Sequence, residues 1–402
     1  MTDSETRASH RSPWTPVALA ALDVAESDVY AGSVEIVLLP ADGGGPIGLI
    51  GAGAAVWRRL STTRDAVLSA SDEQIALELE AAGFLSRSKS PRHPLIDLRP
   101  PILTSPVHEL VYALVARVAD DLGIPHVFVK GPMLQRQGLR DREHSGDVDV
   151  WCAPSRWDDL AEALTHHGWT REPDPWRGTD VGHSVTLNAP AWGCQIDVHR
   201  RMPGVVLDDS AAFAALSSDT VLEIHAGVPV RFPARESHAV VAALHAARPQ
   251  IGRPTLPAHP STSALELLRR ADDPVGAAVR LGAVPALRRE LRACRPEADL
   301  PADDRPPRDW FWRAQPDRAR AYLTALRELP WSSRARLLVT LVWPTADVIR
   351  ESARRAGDPT GSLAVARLRR LRRGLGPLLS GMIPRRPAEG GARLSTRRRY
   401  RT

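Results

Sequence analysis

Two aspartates separated by one residue, in Gly146-Asp147-Val148-Asp149, are the side chains of this sequence best suited to chemistry. The valines Val148 and Val150 indicate a strand, in which residues i and i+2 lie on the same face of a sheet. The carboxylates of Asp147 and Asp149 are therefore expected on one face, where they repel each other unless a cation lies between them. Hard oxygen ligands of this kind suit Mg²⁺, which also binds the phosphates of a substrate.

A third acid belongs to a later strand, because Asp197 lies between the β-branched residues Ile196 and Val198. Three carboxylates from two strands could hold two metal ions about 4 Å apart, the arrangement used for in-line phosphoryl displacement. Upstream, Lys130 and Gly131 follow an apolar strand, and at such a glycine turn the backbone can approach a triphosphate that the lysine neutralises. The acid pair alone would be read as surface residues at a strand end, whereas the three segments together predict phosphoryl-transfer chemistry.

The hydrophobic pattern predicts the elements that position these residues. Ser105 followed by Pro106 is typical of a helix start, and an apolar stripe continues to the stop at Gly123. A second helix is predicted from Ser155 to about His167. Strands are predicted over residues 34–39, 47–50, 126–129, 147–150, 184–187 and 195–199. Helical patterns dominate after residue 235, so the chain is expected to be an α+β protein.

Composition excludes several classes of protein. Of the 402 residues, 43% are hydrophobic and 25% are charged, which excludes a wholly disordered chain. The three cysteines show neither a disulfide framework nor a CxxC metal site, so a reducing compartment is expected. No apolar run is long enough to cross a bilayer, and the N-terminus has no signal-peptide pattern. A cytoplasmic protein is therefore predicted.

The positive charge is concentrated at the C-terminus. Residues 353–402 contain 14 arginines and two acids, and their net charge of +12 exceeds the +6 of the whole chain. The remainder is therefore acidic, which disfavours nucleic acid as a partner. The acidic helix predicted around residues 72–80 also contains no arginine, so DNA binding is not expected. Contact with RNA or an acidic surface through the arginine-rich tail is a less favoured alternative.

The chain from about residue 100 to 375 resembles an uncharacterised nucleotidyltransferase family of the DNA polymerase β-like superfamily. The segments that carry this resemblance are Val129-Lys130-Gly131, Gly146-Asp147-Val148-Asp149, His183, Gln195-Ile196-Asp197-Val198-His199, Leu244-His245 and Leu341-Val342-Trp343-Pro344. Most of the superfamily has Gly-Ser where this chain has Lys130-Gly131, but the uncharacterised family departs from Gly-Ser in the same way as this chain. The arginine expected just before the Gly-Asp pair is displaced by one residue, to Arg142.

The resemblance implies a role for each matched residue. Three carboxylates would be catalytic and would bind two Mg²⁺ ions: those of Asp147, Asp149 and Asp197. The nucleotide would be bound by Lys130, Gly131, Gly146 and Arg142. The histidines His183 and His199 would support the site from the neighbouring strands.

The N-terminal part shows a second resemblance, to the PqqD-like peptide-binding family, also called the RiPP recognition element. It rests on a predicted hairpin, residues 51–57 (GAGAAVW) and residues 77–85 (LELEAAGFL). The family fold is a small winged helix that captures a leader peptide by adding it as a strand. An unrelated winged-helix module remains the alternative.

These observations predict several consecutive parts. They are a flexible leader 1–25, a PqqD-like module 26–90, a linker 91–105, a mixed-sheet nucleotidyltransferase core 106–235, a helical domain 236–375 and a basic tail 376–402. The expected function is Mg²⁺-dependent transfer of a nucleotidyl group from an NTP to an acceptor, with a ribosomally made precursor peptide as the favoured acceptor. The alternatives are a catalytically degenerate binding protein and a toxin-type nucleotidyltransferase acting on tRNA.

Overall fold

The computed structural model describes most of the chain. The described residues are 14–30, 32–63, 66–95, 97–143, 146–174, 176–251, 259–302, 307–355 and 362–369. The predicted basic tail 376–402 lies outside them, as do parts of the predicted leader and helical domain.

Strands and helices alternate in the first half of the chain, and helices follow. The strands are β1 Thr15–Pro16, β2 Ala20–Asp23, β3 Ile36–Leu39, β4 Ile47–Leu49, β5 Leu85–Ser86, β6 His126–Val129, β7 Asp147–Cys152, β8 Thr170–Arg171, β9 Ser184–Ala189, β10 Cys194–His199, β11 Thr220–His225 and β12 Val228–Pro233. The helices are α1 Gly51–Thr62, α2 Ala70–Ala81, α3 Pro106–Asp121, α4 Met133–Arg136, α5 Trp157–Thr165, α6 Asp209–Ser217, α7 Arg235–Ala247, α8 Thr262–Arg270, α9 Pro274–Arg280, α10 Val284–Cys294, α11 Arg308–Arg313, α12 Arg318–Glu328, α13 Trp331–Val342 and α14 Ala346–Arg355.

A five-stranded mixed sheet carries the predicted acids. Its strand order is β6-β7-β10-β9-β8, in which β7 and β10 are parallel and the other neighbours are antiparallel. Every strand predicted to flank the acids is present, and the helix predicted from Ser155 is α5. The pairing of β7 with β10 places Asp197 directly opposite Asp149.

The two faces of this sheet have different roles. Val148 and Val150 of β7, with Ile196 and Val198 of β10, are buried in a core that also contains α3 and α5 residues. The alternation of a strand then puts the aspartates on the opposite face. On that face Trp151 packs with α7, α8, α9 and α10 in a second core.

Helix α3 begins and ends as its sequence predicts. Ser105 is the N-cap and accepts the His108 N–H at 3.4 Å, and Gly123 follows the helix with φ +62°. The buried carboxylate of Glu109 accepts the backbone N–H groups of Ile102, Leu103 and Ala226 at 2.8–3.1 Å. This carboxylate therefore ties the segment before α3 to the turn between β11 and β12.

The predicted leader 1–25 requires correction, because its residues 15–16 and 20–23 form β1 and β2. Leu22 belongs to the same core as α3, and the Ala21 N–H donates to the Ala226 carbonyl at 3.1 Å. The apolar run around β2 is buried on both faces, and such a run lacks the alternation by which a strand is recognised in a sequence.

The three-stranded sheet β2-β3-β4 is shared between two cores. Val37 and Leu39 of β3 face the core around α3, whereas Ile36 and Leu38 pack with α1 and α2. Helix α2, predicted around residues 72–80, begins with a capping box at Ser69 and Asp72. The assignment of this region to a winged helix of the PqqD-like type stays a prediction.

The described residues 334–355 and 362–369 belong to a compact unit of their own, and the described residues up to 333 belong to another. Within the C-terminal unit, the Arg367 guanidinium lies 4.5 Å from the centre of the Trp343 ring and donates to the Pro344 carbonyl. Among the described residues, none of the helices has both the length and the apolar character needed to span a membrane.

Candidate active site

Two carboxylates and an imidazole meet where β7 and β10 run side by side. Asp149, Asp197 and His199 each offer one ligand atom, and these atoms all lie within 4.8 Å of one another. The cluster is largely buried, since Asp149 is only 2% exposed and His199 is also buried. Two carboxylate oxygens and one imidazole nitrogen form a donor set that fits a divalent cation, and the identity of the metal is not fixed by the geometry.

This cluster overlaps with the predicted ligand set and differs from it in one member. Asp149 and Asp197 belong to it, and His199, expected to support the site, contributes the third ligand atom. Asp147 is on the same face of β7 and lines the cavities beside the cluster. The i, i+2 spacing therefore placed both aspartates at the site, whereas the part played by His199 was visible only as the second member of Asp197-x-His199.

The two aspartates of β7 differ in how readily they ionise. Burial by itself raises the pKa of Asp149, but the hydrogen bond to His199 Nε2 at 2.9 Å and the Lys130 ammonium lower that pKa to about 2. Burial and the nearby Asp149 charge raise the pKa of Asp147. The Thr186 hydroxyl donates to Asp197 Oδ1 at 2.6 Å. Asp149 is therefore a permanent anion, and Asp147 loses its proton less readily.

Lys130 is held in an unusual backbone conformation directly after β6. Its φ of +63° is in the left-handed region that residues with a side chain rarely adopt, and Gly131 follows with φ +64°. The Lys130 ammonium forms an ion pair with Asp149 Oδ1 and lies 3.4 Å from His245 Nδ1. The predicted phosphate ligand is thus in contact with the predicted metal ligand, and the ammonium is itself a cation at the position where a metal would bind Asp149.

A buried histidine that the sequence analysis missed fixes this turn. The Lys130 N–H donates to His238 Nε2 at 2.7 Å, so His238 carries its proton on Nδ1 and donates it to Gln137 Oε1, also at 2.7 Å. Burial lowers the pKa of His238 to about 3, so the ring stays neutral. Arg140 Nη2 donates to the Gly131 carbonyl at 2.7 Å. Nothing in the sequence around His238 or Gln137 signals this contact, since it joins residues 108 positions apart.

Two cavities open beside the acids. The larger, about 430 Å³, is lined by all the residues predicted to bind nucleotide, Lys130, Gly131, Arg142 and Gly146, together with Asp147 and Asp149 and residues of α7 and α8. The smaller, about 60 Å³, is lined by Asp147, Asp197, His183, His199, Lys130, His245, Arg248, Met202 and Pro203. The predicted supporting histidines, His183 and His199, therefore belong to the smaller cavity.

Comparison with known proteins gives limited similarity. No family model matches the chain, and no curated protein matches it. The solution structure of the antibiotic-resistance factor ANT(2'')-Ia is 18% identical, with a TM-score of 0.29, over 47% of this chain and 91% of that one. A tRNA-processing enzyme in an apo form is 17% identical, with a TM-score of 0.23, over 59% of this chain and 56% of that one. At TM-scores this low, neither structure assigns a fold or an activity to this chain.

Proposed function

We propose that this protein is a Mg²⁺-dependent nucleotidyltransferase that uses an NTP. The observation that carries the proposal is the cluster of Asp149, Asp197 and His199 beside a cavity of about 430 Å³ that Lys130 and Arg142 also line. Pockets of about 300–1,000 Å³ are typical of small-molecule sites, and the basic residues suit a polyphosphate. Acids that hold a divalent cation next to a basic wall suit an anionic substrate that binds together with its metal.

Different residues of the site would bind the metal, bind the phosphates and accept the proton. The cluster, with Asp147 beside it, would hold the metal, which supplies positive charge where negative charge develops on the transferred phosphoryl group. Lys130 would bind the phosphates. In the transfer, the bond between the α-phosphorus and the bridging oxygen breaks, pyrophosphate leaves, and a new bond joins the α-phosphorus to the acceptor. Asp197, which lines the smaller cavity, is the carboxylate placed to take the acceptor proton.

A precursor peptide is the acceptor that we favour, bound at the edge of the N-terminal sheet. Strand β4 ends the order β2-β3-β4 and has no further partner strand among the described residues. Its first residue, Ile47, is 37% exposed. An open strand edge with an exposed apolar side chain is what a peptide needs to add itself as a further strand.

The test is transfer of label from each α-³²P-labelled NTP, with Mg²⁺, to candidate acceptor peptides and to the protein itself. Asp149→Asn and Asp197→Asn should abolish transfer, since each removes a ligand charge with little change in size. Asp299→Asn is the matched control because Asp299 is exposed and lies outside both cavities. Labelled tRNA after incubation would favour the toxin-type alternative.

Binding separates an active enzyme from a degenerate one. If Mg·NTP raises the melting temperature of the wild type but not of Asp149→Asn, and no acceptor is labelled, the protein is a scaffold that binds nucleotide without transferring it. The absence of a Mg·NTP-dependent shift with all four nucleotides would contradict the proposal.

A further inference from the structure

The smaller cavity is lined by an arginine, Arg248, that the proposed chemistry does not use. It meets the larger cavity at Lys130, Asp147 and His245, which line both. Asp197 lines only the smaller one, on whose wall Arg248 also lies. Its volume of about 60 Å³ suits one small polar group and excludes a nucleoside.

Arg248 directly follows α7 and has no ion-pair partner among the described residues. Its single hydrogen-bonding contact within that part of the chain is Nη1 with His183 Nε2, at 3.5 Å. Other half-buried arginines of the protein do find acids: Arg58 contacts Asp23 at 2.6 Å and Arg171 contacts Asp158 at 2.6 Å. A half-buried guanidinium without an acid is costly unless a ligand completes its hydrogen bonds.

Two further arginines act electrostatically on His183, which lines the cavity. Arg313 is 8% exposed, its Nε has no hydrogen-bond partner within the described part of the chain, and its guanidinium lies 4.7 Å from the centre of the Trp312 ring. Arg201 donates to the carbonyls of residues 180 and 181, which are uncharged acceptors. The charges of both arginines, like that of Arg248, contribute to lowering the pKa of His183, although burial of this ring has the larger effect.

One acid near these arginines, Asp309, is already engaged by the backbone. Asp309 is buried and accepts the backbone N–H of Gly204 at 3.0 and 3.3 Å. Arg248 is also within electrostatic reach of Asp149 and Asp197, but it forms an ion pair with neither among the described residues. The lining of the smaller cavity therefore carries both signs of charge, Lys130 and Arg248 beside Asp147 and Asp197.

We propose that the smaller cavity binds an anionic oxygen group of a reactant, a phosphate or a carboxylate, with Arg248 and His183 as its ligands. This inference rests on the proposed function for the identity of the reactants. The group can come from two sources, the outer phosphates of the NTP or an anionic group on the acceptor. Arginine is suited to both because its planar guanidinium binds two oxygens at once.

The experiment is calorimetric titration of the full-length protein with pyrophosphate and with inorganic phosphate, without metal or nucleotide. Charge-assisted hydrogen bonds contribute about 1.5–3 kcal/mol, so Arg248→Gln should weaken binding by about 10- to 150-fold. Arg248→Lys should lose less affinity than Arg248→Gln, because lysine keeps the positive charge although it cannot bind two oxygens at once. Arg292→Gln is the control for the charge change, because Arg292 is exposed on α10 and lies outside the cavities.

A second titration assigns the source. If a saturating Mg·NTP analogue with a non-cleavable α,β bond displaces the oxoanion, the cavity holds the outer phosphates of the nucleotide. If the oxoanion still binds beside the analogue, the cavity belongs to the acceptor, which then carries a phosphate or carboxylate next to its reacting group.

Stability provides a readout that needs no ligand. Arg248→Gln should unfold at the same temperature as the wild type or higher when no anion is present, since it removes a cation without an ion pair. Wild-type protein that binds neither oxoanion, or an Arg248→Gln variant that binds them as the wild type does, would overturn the inference. Because these titrations contain no metal or NTP, their failure is distinct from the failure of nucleotidyl transfer.

Discussion

The replacement of His238 by leucine tests whether the turn at Lys130 is held by a buried side chain. His238 is fully buried, accepts the Lys130 N–H at 2.7 Å and donates to Gln137 at 2.7 Å. Leucine fills a similar volume but offers no acceptor. His238→Leu therefore leaves the Lys130 N–H without its partner and removes the constraint on the left-handed backbone at this residue.

The size of the effect follows from two contributions. An unsatisfied buried donor costs about 1–3 kcal/mol. A residue with a side chain in a sparsely populated backbone region costs about 1–3 kcal/mol, and it persists only when its surroundings hold it there. If the turn relaxes in the variant, the binding-competent geometry must be re-formed at a cost of about 1–3 kcal/mol. The affinity for Mg·NTP should then fall by about 5- to 150-fold.

Calorimetric titration with Mg·NTP, together with thermal denaturation, separates positioning from stability. His238→Gln can return an acceptor to the Lys130 N–H and should recover most of the affinity. His225→Leu is the matched control, because His225 is also a buried histidine but lies beside Glu223 rather than Lys130. The reasoning is refuted if His238→Leu binds Mg·NTP like the wild type, or if the Leu and Gln variants lose affinity equally.

Four further predictions concern charge and folding. Asp147→Asn should lower nucleotidyl transfer by about 10²- to 10⁴-fold in a radiolabel assay. It should leave the metal-free melting temperature equal or higher, because burial and a nearby charge oppose ionisation of this carboxyl. Lys130→Ala should weaken Mg·NTP binding and destabilise the metal-free protein by about 3 kcal/mol or more in urea denaturation, since it leaves Asp149 buried without its ammonium partner. Burial lowers the pKa of His225 to about 4, so the native state binds fewer protons than the unfolded state between that value and about pH 6.5. Stability should therefore fall as the pH falls through this window, by about 1.4 kcal/mol per pH unit, and His225→Leu should flatten the profile. Deletion of residues 1–95 should give a chain that does not fold cooperatively, because β2 and β3 share a core with α3. A soluble fragment that binds Mg·NTP would contradict this expectation.

The strands and the acids of the site were predictable because their signals are local. Asp147 and Asp149 alternate with valines, so the strand and the face that carries the acids follow from a period of two residues. The pairing of β7 with β10 brings Asp197 opposite Asp149, and this register joins distant segments that no local sequence pattern aligns. The contact of His238 with Lys130 was not predictable, since a histidine inside a helical apolar stripe has no local feature that reveals its partner.

The N-terminal region was misread for a related reason. Its sequence predicts a separate module, and the predicted hairpin and the helix predicted around residues 72–80 are present where expected. What the sequence lacks is any sign that β2 and β3 use both of their faces, one for α1 and α2 and the other for the core of α3. A sheet buried on both sides gives continuous apolar runs, and such runs do not show what will cover each face.

The ion pair of Lys130 with Asp149 links the folding of the site to its proposed chemistry. Removing a carboxylate from water costs several kcal/mol unless partners compensate, and Asp149 obtains that compensation from Lys130 and from His199. Asp149 can therefore be buried without a metal, because the Lys130 ammonium neutralises its charge. A divalent metal and Lys130 both favour Asp149 Oδ1, so each weakens the binding of the other at this oxygen. Phosphates that attract the Lys130 ammonium would relieve this competition, and the nucleotide and the metal should consequently bind more tightly together than either does alone.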